Sequence, residues 1–171
     1  MPGAIFGEVA SRSDALQMGF EPKSKLRKHP AHQVIEAANR PTIVFVTVCT
    51  KGRRPILANA KVHDSLKDIW RSAGAWMVGR YVIMPDHLHL FAGLGSPQLP
   101  LTNWVSYWKR AFTRAHGEAI WLDDYWDTTL RDSAHAAERW EYIRQNPVRH
   151  GFVADADAWP WQGELNDLPW P

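Results

Sequence analysis

Two histidines separated by a single residue, His87 and His89, are the side chains of this sequence best suited to bind a metal. In a strand, alternate residues point to the same side, so both imidazoles would project together while Leu88 enters the opposite side. Two neutral imidazoles placed in this way can bind one divalent cation. The residues directly after His89 offer no carboxylate, so a third ligand has to come from a distant part of the chain. Taken alone, the pair could equally be two structural histidines.

A tyrosine and an asparagine four residues apart, Tyr142 and Asn146, form a second candidate group. This spacing places them on one face of a helix, while Ala136, Trp140 and Ile143 form a different, apolar face. A phenol on the less apolar side of a helix can face a site and act as a nucleophile. An asparagine before a proline is also a common helix end, so this group gains its weight from being present together with the two histidines.

Other classes of metal enzyme are excluded by the residues that the chain lacks. Zinc deaminases need a His-x-Glu motif followed by a pair of cysteines, and this chain has one cysteine, Cys49. The HExxH motif of zinc proteases is absent. A single cysteine also excludes a disulfide within the chain and is typical of a reducing compartment.

The elements that must position these groups are predicted from hydrophobic spacing. In chain order they are a strand at 42–48, a helix at 58–73, strands at 76–84 and 87–94, a helix at 101–112, a short strand at 121–128, and a helix that begins at 132 or 133 and ends at Pro147. This order predicts an α+β fold, a ferredoxin-like antiparallel sheet with helices packed on one face, followed by a C-terminal catalytic helix. Residues 1–40 are predicted to be a basic, poorly ordered arm, and residues 41–171 a single domain.

The distribution of basic residues says more about partners than the net charge of +2 does. The basic residues occur in clusters along the chain. Clusters of basic residues are typical of a surface that contacts phosphates, although clusters that are merely solvated are equally common. Trp126 is a candidate for stacking on an unpaired base, whereas Trp104 and Trp108 follow an apolar stripe and are predicted to be core residues. The candidate phosphate contacts are Lys25, Arg27, Lys28, Arg53, Arg54, Lys109, Arg110 and Arg114.

The sequence shows neither a membrane-spanning segment nor a signal peptide. No segment has the run of roughly 18 to 20 apolar residues that would span a bilayer. Residues 1–10 have no basic cluster ahead of an apolar run, so they do not form a signal peptide. We therefore expect a cytoplasmic protein without a membrane partner.

Two segments of the chain carry a resemblance to a known family. Residues 81–90, with the order Tyr-Val-Ile-Met-Pro-Asp-His-Leu-His-Leu, resemble the HUH segment of the single-tyrosine transposases that mobilise small insertion sequences. Residues 142–151 resemble the catalytic helix of the same proteins, and the Asn-Pro-Val form most resembles the REP-associated tyrosine transposases, which are linked to repetitive extragenic palindromes. Further matches lie at 47–55 and 121–131, so the resemblance covers about residues 41 to 161.

The resemblance implies a function and a role for particular residues. It implies a ferredoxin-like fold, a Mg²⁺ or Mn²⁺ cofactor, and cleavage of single-stranded DNA beside a hairpin through a 5′-phosphotyrosine intermediate. Carried over by position, His87 and His89 would bind the metal, Tyr142 would be the nucleophile and Asn146 the third ligand. Arg149, within the second motif, would contact DNA. The protein would act as a monomer or a homodimer.

Two other classes of function stay open at this stage. A non-catalytic module that binds hairpin DNA or RNA would use the same surface without cutting, although the presence of both histidines and the tyrosine argues against it. A small metal oxygenase or isomerase would account for the two histidines but would leave residues 142–151 without a purpose. Thr128 stands where relatives often have histidine, which leaves no predicted role for that position.

Overall fold

The computed structural model describes residues 42–95 and 99–169. The predicted arm at 1–40, with Lys25, Arg27 and Lys28, lies outside the described residues. The elements are β1 (Ile43–Cys49), α1 (Ala60–Ser72), β2 (Trp76–Ile83), β3 (His87–Leu94), α2 (Leu101–His116), β4 (Trp126–Thr129), α3 (Ser133–Arg144), α4 (Asn146–Arg149) and β5 (Gln162–Glu164). None of the described helices is long and apolar enough to cross a bilayer.

The strands form one five-stranded antiparallel sheet in the order β4-β1-β3-β2-β5. The predicted α+β class with an antiparallel sheet is therefore confirmed. The strand β3 is central, with β1 paired on one side and β2 on the other. Side chains of β3 are consequently held between two neighbouring strands, which makes this strand a firm support for a site.

One face of the sheet is covered by α1 and α2. Apolar residues recur at helical spacing in α1, where Val62, Leu66 and Trp70 are buried. Asn59 caps this helix, because its side-chain oxygen accepts a hydrogen bond of 3.0 Å from the Val62 amide. The prediction that Trp104 and Trp108 belong to the core is confirmed, since both are at most 1% exposed.

The opposite face of the sheet is covered by α3 and by the segment that leads to β5. Asp132 caps α3 by accepting a 2.8 Å hydrogen bond from the His135 amide. Ala136 and Ile143 of this helix are buried against Phe45 and Phe91 of the strands. The predicted catalytic helix thus lies across the sheet from α1 and α2.

Two helices meet at Gln145, just before Pro147, where the sequence predicts a single helix end. The helix α3 ends at Arg144, as expected before Asn-Pro, but α4 begins at once and contains Pro147 in its first turn. Proline is tolerated there because its missing N–H would have no partner within the helix.

Two strand predictions need correction. The predicted strand at 121–128 is shorter and lies later, at Trp126–Thr129, while Trp121 makes an isolated bridge with Thr50. The strand β5 was not predicted because three residues are too few to show a period of two.

Candidate active site

The two histidines lie side by side on the face of β3 that α3 covers. Both share that face with Phe91, while Leu88 and Leu90 enter the core under α1 and α2. His87 is 8% exposed and His89 7% exposed, and their ring centroids are 4.8 Å apart at an interplanar angle of 82°. The paired orientation expected from the His-x-His spacing is therefore present in the structure.

His87 is held by an acidic neighbour that is itself held by an arginine. Its Nδ1 lies 2.6 Å from a carboxylate oxygen of Asp86, and the Nε of Arg53 donates to the other carboxylate oxygen at 2.9 Å. Burial lowers the pKa of His87, even though Asp86 acts in the opposite direction. Burial works to raise the pKa of Asp86, but its hydrogen bond to His87 and the nearby positive charges bring that pKa below its ordinary value. The carboxylate is thus ionised and the imidazole neutral at neutral pH.

The two ring nitrogens of His89 differ in their surroundings: Nδ1 contacts Thr47 of β1, whereas Nε2 has no partner among the described residues. The two residues are cross-strand partners, and the Thr47 hydroxyl lies 2.8 Å from His89 Nδ1. Phe45 stacks against the imidazole at 5.4 Å between centroids. Burial holds the pKa of His89 well below its ordinary value, and the charges of His87 and Arg53 act in the same direction. Its Nε2 is buried and has no hydrogen-bond partner among the described residues.

On the helical side, Tyr142, Asn146 and Arg149 form one group. The guanidinium of Arg149 lies 4.1 Å from the centroid of the Tyr142 ring, a distance typical of a cation–π contact. Arg149 Nη2 also donates to the backbone carbonyl of Tyr142 and, at 2.9 Å, to Asn146 Oδ1. Asn146 is 1% exposed, and its Nδ2 is buried without a partner in the described part of the chain. The four-residue spacing therefore brings the tyrosine and the asparagine together as predicted.

Contacts between α3 and the sheet join the two groups into one face. The guanidinium of Arg139 lies 5.3 Å from the centroid of Phe45, which also stacks against His89. Trp140 meets Phe91 edge to face at 6.2 Å. The charge of His150, which follows α4, is close enough to disfavour protonation of His87.

Two of the predicted phosphate-contacting arginines are engaged in ion pairs. Arg53 is part of the His87 support described above, and its Nη1 also donates to the Cys49 thiol at 2.9 Å. Arg54 is exposed and paired with Glu118. Arg110 and Arg114 are exposed on α2, which lies across the sheet from the histidines.

Lys109, a predicted phosphate contact, is buried in the structure. The residue is 9% exposed, and its ammonium donates to the backbone carbonyls of Leu122, Asp123 and Asp124 at 2.9, 3.2 and 3.3 Å. Burial lowers its pKa to about 8. Lys109 thus anchors the loop before β4, and all of its donors point inward.

Trp126 lies on the histidine face of the sheet. It is the cross-strand partner of Thr47, and directly paired residues of antiparallel strands point to the same side. The residue is 41% exposed, so part of its side chain lies at the surface on this face. Thr128 pairs with Phe45 in the same way, so it lies on this face as well.

Sequence reasoning missed the residues that hold the histidines. Asp86 gave a usable signal, because a carboxylate next to a metal-binding histidine commonly orients the ring. Thr47 gave none, since its contact with His89 depends on the register between β1 and β3.

Comparison with known proteins gives relatives of one kind. No family model matches the chain. It is 29% identical over 101 residues to a protein of Haemophilus influenzae provisionally named a REP-associated tyrosine transposase, and 28% identical over 92 residues to a REP-associated tyrosine transposase of Escherichia coli K12. These matches cover 50% and 53% of this chain. The chain spans little more than half the length of these curated relatives, 57% and 56%.

A solved structure shares the fold. It is described as a REP-associated tyrosine transposase bound to a REP hairpin, and it matches with a TM-score of 0.63 at 22% sequence identity. The match covers 74% of this chain and 88% of that one. The resemblance to REP-associated tyrosine transposases that the two motifs predict is therefore confirmed.

Proposed function

We propose, starting from this resemblance, that the chain is a metal-dependent single-stranded DNA endonuclease and strand transferase that acts beside DNA hairpins such as repetitive extragenic palindromes. The observation that carries the proposal is the pair of neutral, buried imidazoles on β3, facing the helix that bears Tyr142. The similarity of the chain to transposases, and the hairpin bound by the structural relative, supply the substrate class.

The histidines fit a divalent metal. The Nδ1 atoms of both rings are engaged, His87 by Asp86 and His89 by Thr47, which leaves each Nε2 to offer its lone pair. The buried Nε2 of His89 lacks a partner within the described residues, as expected of an atom whose lone pair would bind a metal. Bound Mg²⁺ or Mn²⁺ would supply Lewis-acid stabilisation of the charge that develops on the scissile phosphate.

Asn146 is the proposed third ligand. Among the histidines, cysteines and carboxylates of the described ranges, no three are placed to hold a metal together. We therefore propose an amide as the third ligand. Asn146 is buried, and its amide oxygen is occupied by Arg149. Rotation of the amide would turn this oxygen toward the metal.

Tyr142 is the proposed nucleophile. Its phenolic oxygen would attack the phosphorus in line, forming a bond to the 5′ side of the break while the bond to the 3′ oxygen is cleaved. The phenolic proton is lost, and the departing 3′ oxygen takes up a proton to become a free hydroxyl. The 5′-phosphotyrosine conserves the energy of the diester for rejoining. Arg149 would fix the ring during this step, because it contacts both the ring and the backbone carbonyl of Tyr142.

A covalent adduct tests the proposal. Hairpin-containing single-stranded DNA from beside the gene, labelled at its 3′ end, is incubated with Mn²⁺, Mg²⁺ or EDTA and run on a denaturing protein gel. We expect a labelled protein band that requires metal and is absent in Tyr142→Phe. The matched control is Tyr107→Phe, which alters an exposed tyrosine of α2 on the other side of the sheet and should leave the band intact.

The competing reading is a hairpin-binding module without catalysis. A gel-shift with the same DNA separates the two. Hairpin binding without any adduct or cleavage, under every metal condition, would reject the nuclease and favour the binding module. Cleavage retained by Tyr142→Phe would reject the assignment of the nucleophile.

A further inference from the structure

Three rings that follow α4 form a row that runs from the core to the surface. The ring planes of His150 and Phe152 are 19° from parallel with centroids 6.1 Å apart, and those of Phe152 and Trp159 are 29° from parallel at 5.5 Å. Trp159 anchors the row, since it is 8% exposed and its indole N–H donates to the Ile83 carbonyl at 3.0 Å. Phe152 is 48% exposed, and His150 is exposed as well. We call these three residues the aromatic row.

The backbone holds the aromatic row against α4. The amides of His150 and Phe152 donate to the carbonyls of Asn146 and Pro147 at 3.0 and 2.9 Å. Between them, Gly151 takes a φ of +72°, a left-handed conformation that glycine adopts without strain. This turn therefore holds the phenyl ring of Phe152 at the surface, where about half of the residue is exposed.

The aromatic row starts beside the proposed metal site. His150 comes four residues after Asn146 and directly after Arg149, whose guanidinium lies on Tyr142. The His150 amide donates to the backbone carbonyl of Asn146 at 3.0 Å, so the exposed end of the row lies beside the proposed third ligand. The negative charge closest in sequence to the buried end, at Asp157, is paired with Arg144 at 2.5 Å. A nucleic-acid strand that reaches Tyr142 would therefore pass this end without facing an uncompensated carboxylate there.

We propose that the aromatic row is a stacking platform for an unpaired nucleobase of the DNA strand, next to the phosphate that Tyr142 attacks. Exposed aromatic rings beside basic side chains are the means by which proteins bind single-stranded DNA, because every base offers a flat π face. Stacking of this kind tolerates any base, so the row would hold the strand in place while hairpin and flanking sequence are recognised elsewhere. This inference rests on the proposed function, which brings the strand to Tyr142.

Fluorescence of 2-aminopurine tests the platform directly. The probe is a hairpin with a single-stranded extension in which 2-aminopurine replaces one unpaired base at a time, bound to the full chain in EDTA so that no cleavage occurs. We expect quenching at one position or two adjacent positions of the extension. Phe152→Leu should abolish this quenching and weaken binding of the extended hairpin about tenfold. Phe152→Trp should retain both, and a blunt hairpin should bind all three proteins alike.

The outcomes separate the platform from the catalytic proposal. Equal quenching and affinity in Phe152→Leu would overturn the platform, as would an equal loss of affinity for the blunt hairpin. Tyr142→Phe should keep the quenching, because stacking does not require the nucleophile. Quenching without any covalent adduct would support the platform and reject the nuclease. An adduct formed equally by wild type and Phe152→Leu at low DNA concentration would support the nuclease and reject the platform. Thermal unfolding of each variant confirms that the exposed substitutions leave the fold intact.

Discussion

At the scale of single residues, Asp86 connects two side chains of the site. One of its carboxylate oxygens contacts His87 and the other accepts from Arg53. Arg53 itself has a φ of +55°, which is unusual for a residue other than glycine and shows that the turn after β1 is held in a strained form. The strain is compensated by the two side-chain contacts of Arg53, to Asp86 and to Cys49. An unfavourable backbone conformation at Arg53 thus accompanies the contacts that orient the imidazole of His87.

Removal of Asp86 should weaken metal binding. Without the carboxylate, His87 loses the contact that fixes its tautomer and its orientation, so we expect Asp86→Ala to lower the affinity for Mn²⁺ about 10- to 100-fold. Isothermal titration of the DNA-free protein with Mn²⁺ measures this. Asp68→Ala, which removes an exposed carboxylate paired with Arg71 on α1, is the control and should bind as the wild type does. Equal affinities for the two variants would show that Asp86 does not support the site.

The buried imidazoles should make stability depend on pH. Because burial lowers the pKa of His89 in the folded state, the unfolded chain binds more protons once the pH falls below about 6.5, and folding stability is lost in that range. We expect the free energy of unfolding of the metal-free protein to fall by about 1–3 kcal/mol between pH 7.5 and 5.5. Urea unfolding at both pH values measures it. His89→Gln should show a smaller fall, and an identical fall would assign the effect to other groups.

Prediction from the sequence succeeded for residues whose geometry follows from local spacing. Two side chains one residue apart in a strand, or four apart across a helix, must share a face, and His87 with His89 and Tyr142 with Asn146 do so. The burial of Lys109 was not predicted, because the carbonyls that bind this lysine belong to a loop 13 to 15 residues away in sequence. Nothing in the local pattern distinguishes a buried lysine from an exposed one.

At the scale of elements, the loop before β4 depends on α2 for its position. The three carbonyls at 122–124 converge on one ammonium, and a neutral side chain could not satisfy them. We expect Lys109→Met to lower the free energy of unfolding by about 1–3 kcal/mol, since three partly buried carbonyls lose their donor. Arg110→Met, one residue along the same helix and exposed, should change stability by less than about 0.5 kcal/mol. Chemical denaturation of both variants tests the contrast.

The same pair of variants separates structure from DNA contact. Lys109→Met should bind hairpin DNA with the salt dependence of the wild type whenever it is folded, because its ammonium is buried. A reduced salt dependence in Lys109→Met would show that this lysine reaches a phosphate and would restore the prediction made from the sequence.

Helices and long strands were predictable because their apolar residues repeat with a clear period, as in β3 and α2. The elements that the sequence left out are short. The strand β5 has three residues and α4 has four, and each exists because of a partner elsewhere: Gln162 pairs with Val82, and α4 follows from the conformation around Pro147. Tertiary contacts determine such elements, and periodicity does not report them.

At the scale of the whole molecule, basic residues lie on both sides of the sheet. Arg139 and Arg149 are on the histidine side, whereas Arg110 and Arg114 lie on α2 across from it. A hairpin whose scissile phosphate is at Tyr142 therefore contacts the α2 arginines only if it passes around an edge of the sheet. Comparing phosphate contacts from the two sides indicates the path of the DNA.

Salt dependence of hairpin binding measures these contacts. Each lost phosphate contact should reduce the slope of log affinity against log salt concentration by about one. We expect the triple replacement of Lys25, Arg27 and Lys28 by alanine to weaken binding and flatten the slope, if the basic segment before the domain contacts the backbone of the hairpin. Arg110→Ala with Arg114→Ala gives the corresponding value for α2. An unchanged slope in the first variant would exclude the segment at 25–28 from the DNA contact.

Leu168 occupies a notch in the sheet that two glycines leave open. A methyl group on Gly79 would come within 2.6 Å of Leu168, and one on Gly93 within 3.1 Å, so the leucine fills the space that their missing side chains create. Proteolytic cleavage between β5 and Leu168 would release this leucine and expose apolar surface on β2 and β3. Such clipped molecules are expected to aggregate, because the central strands would then expose an apolar patch.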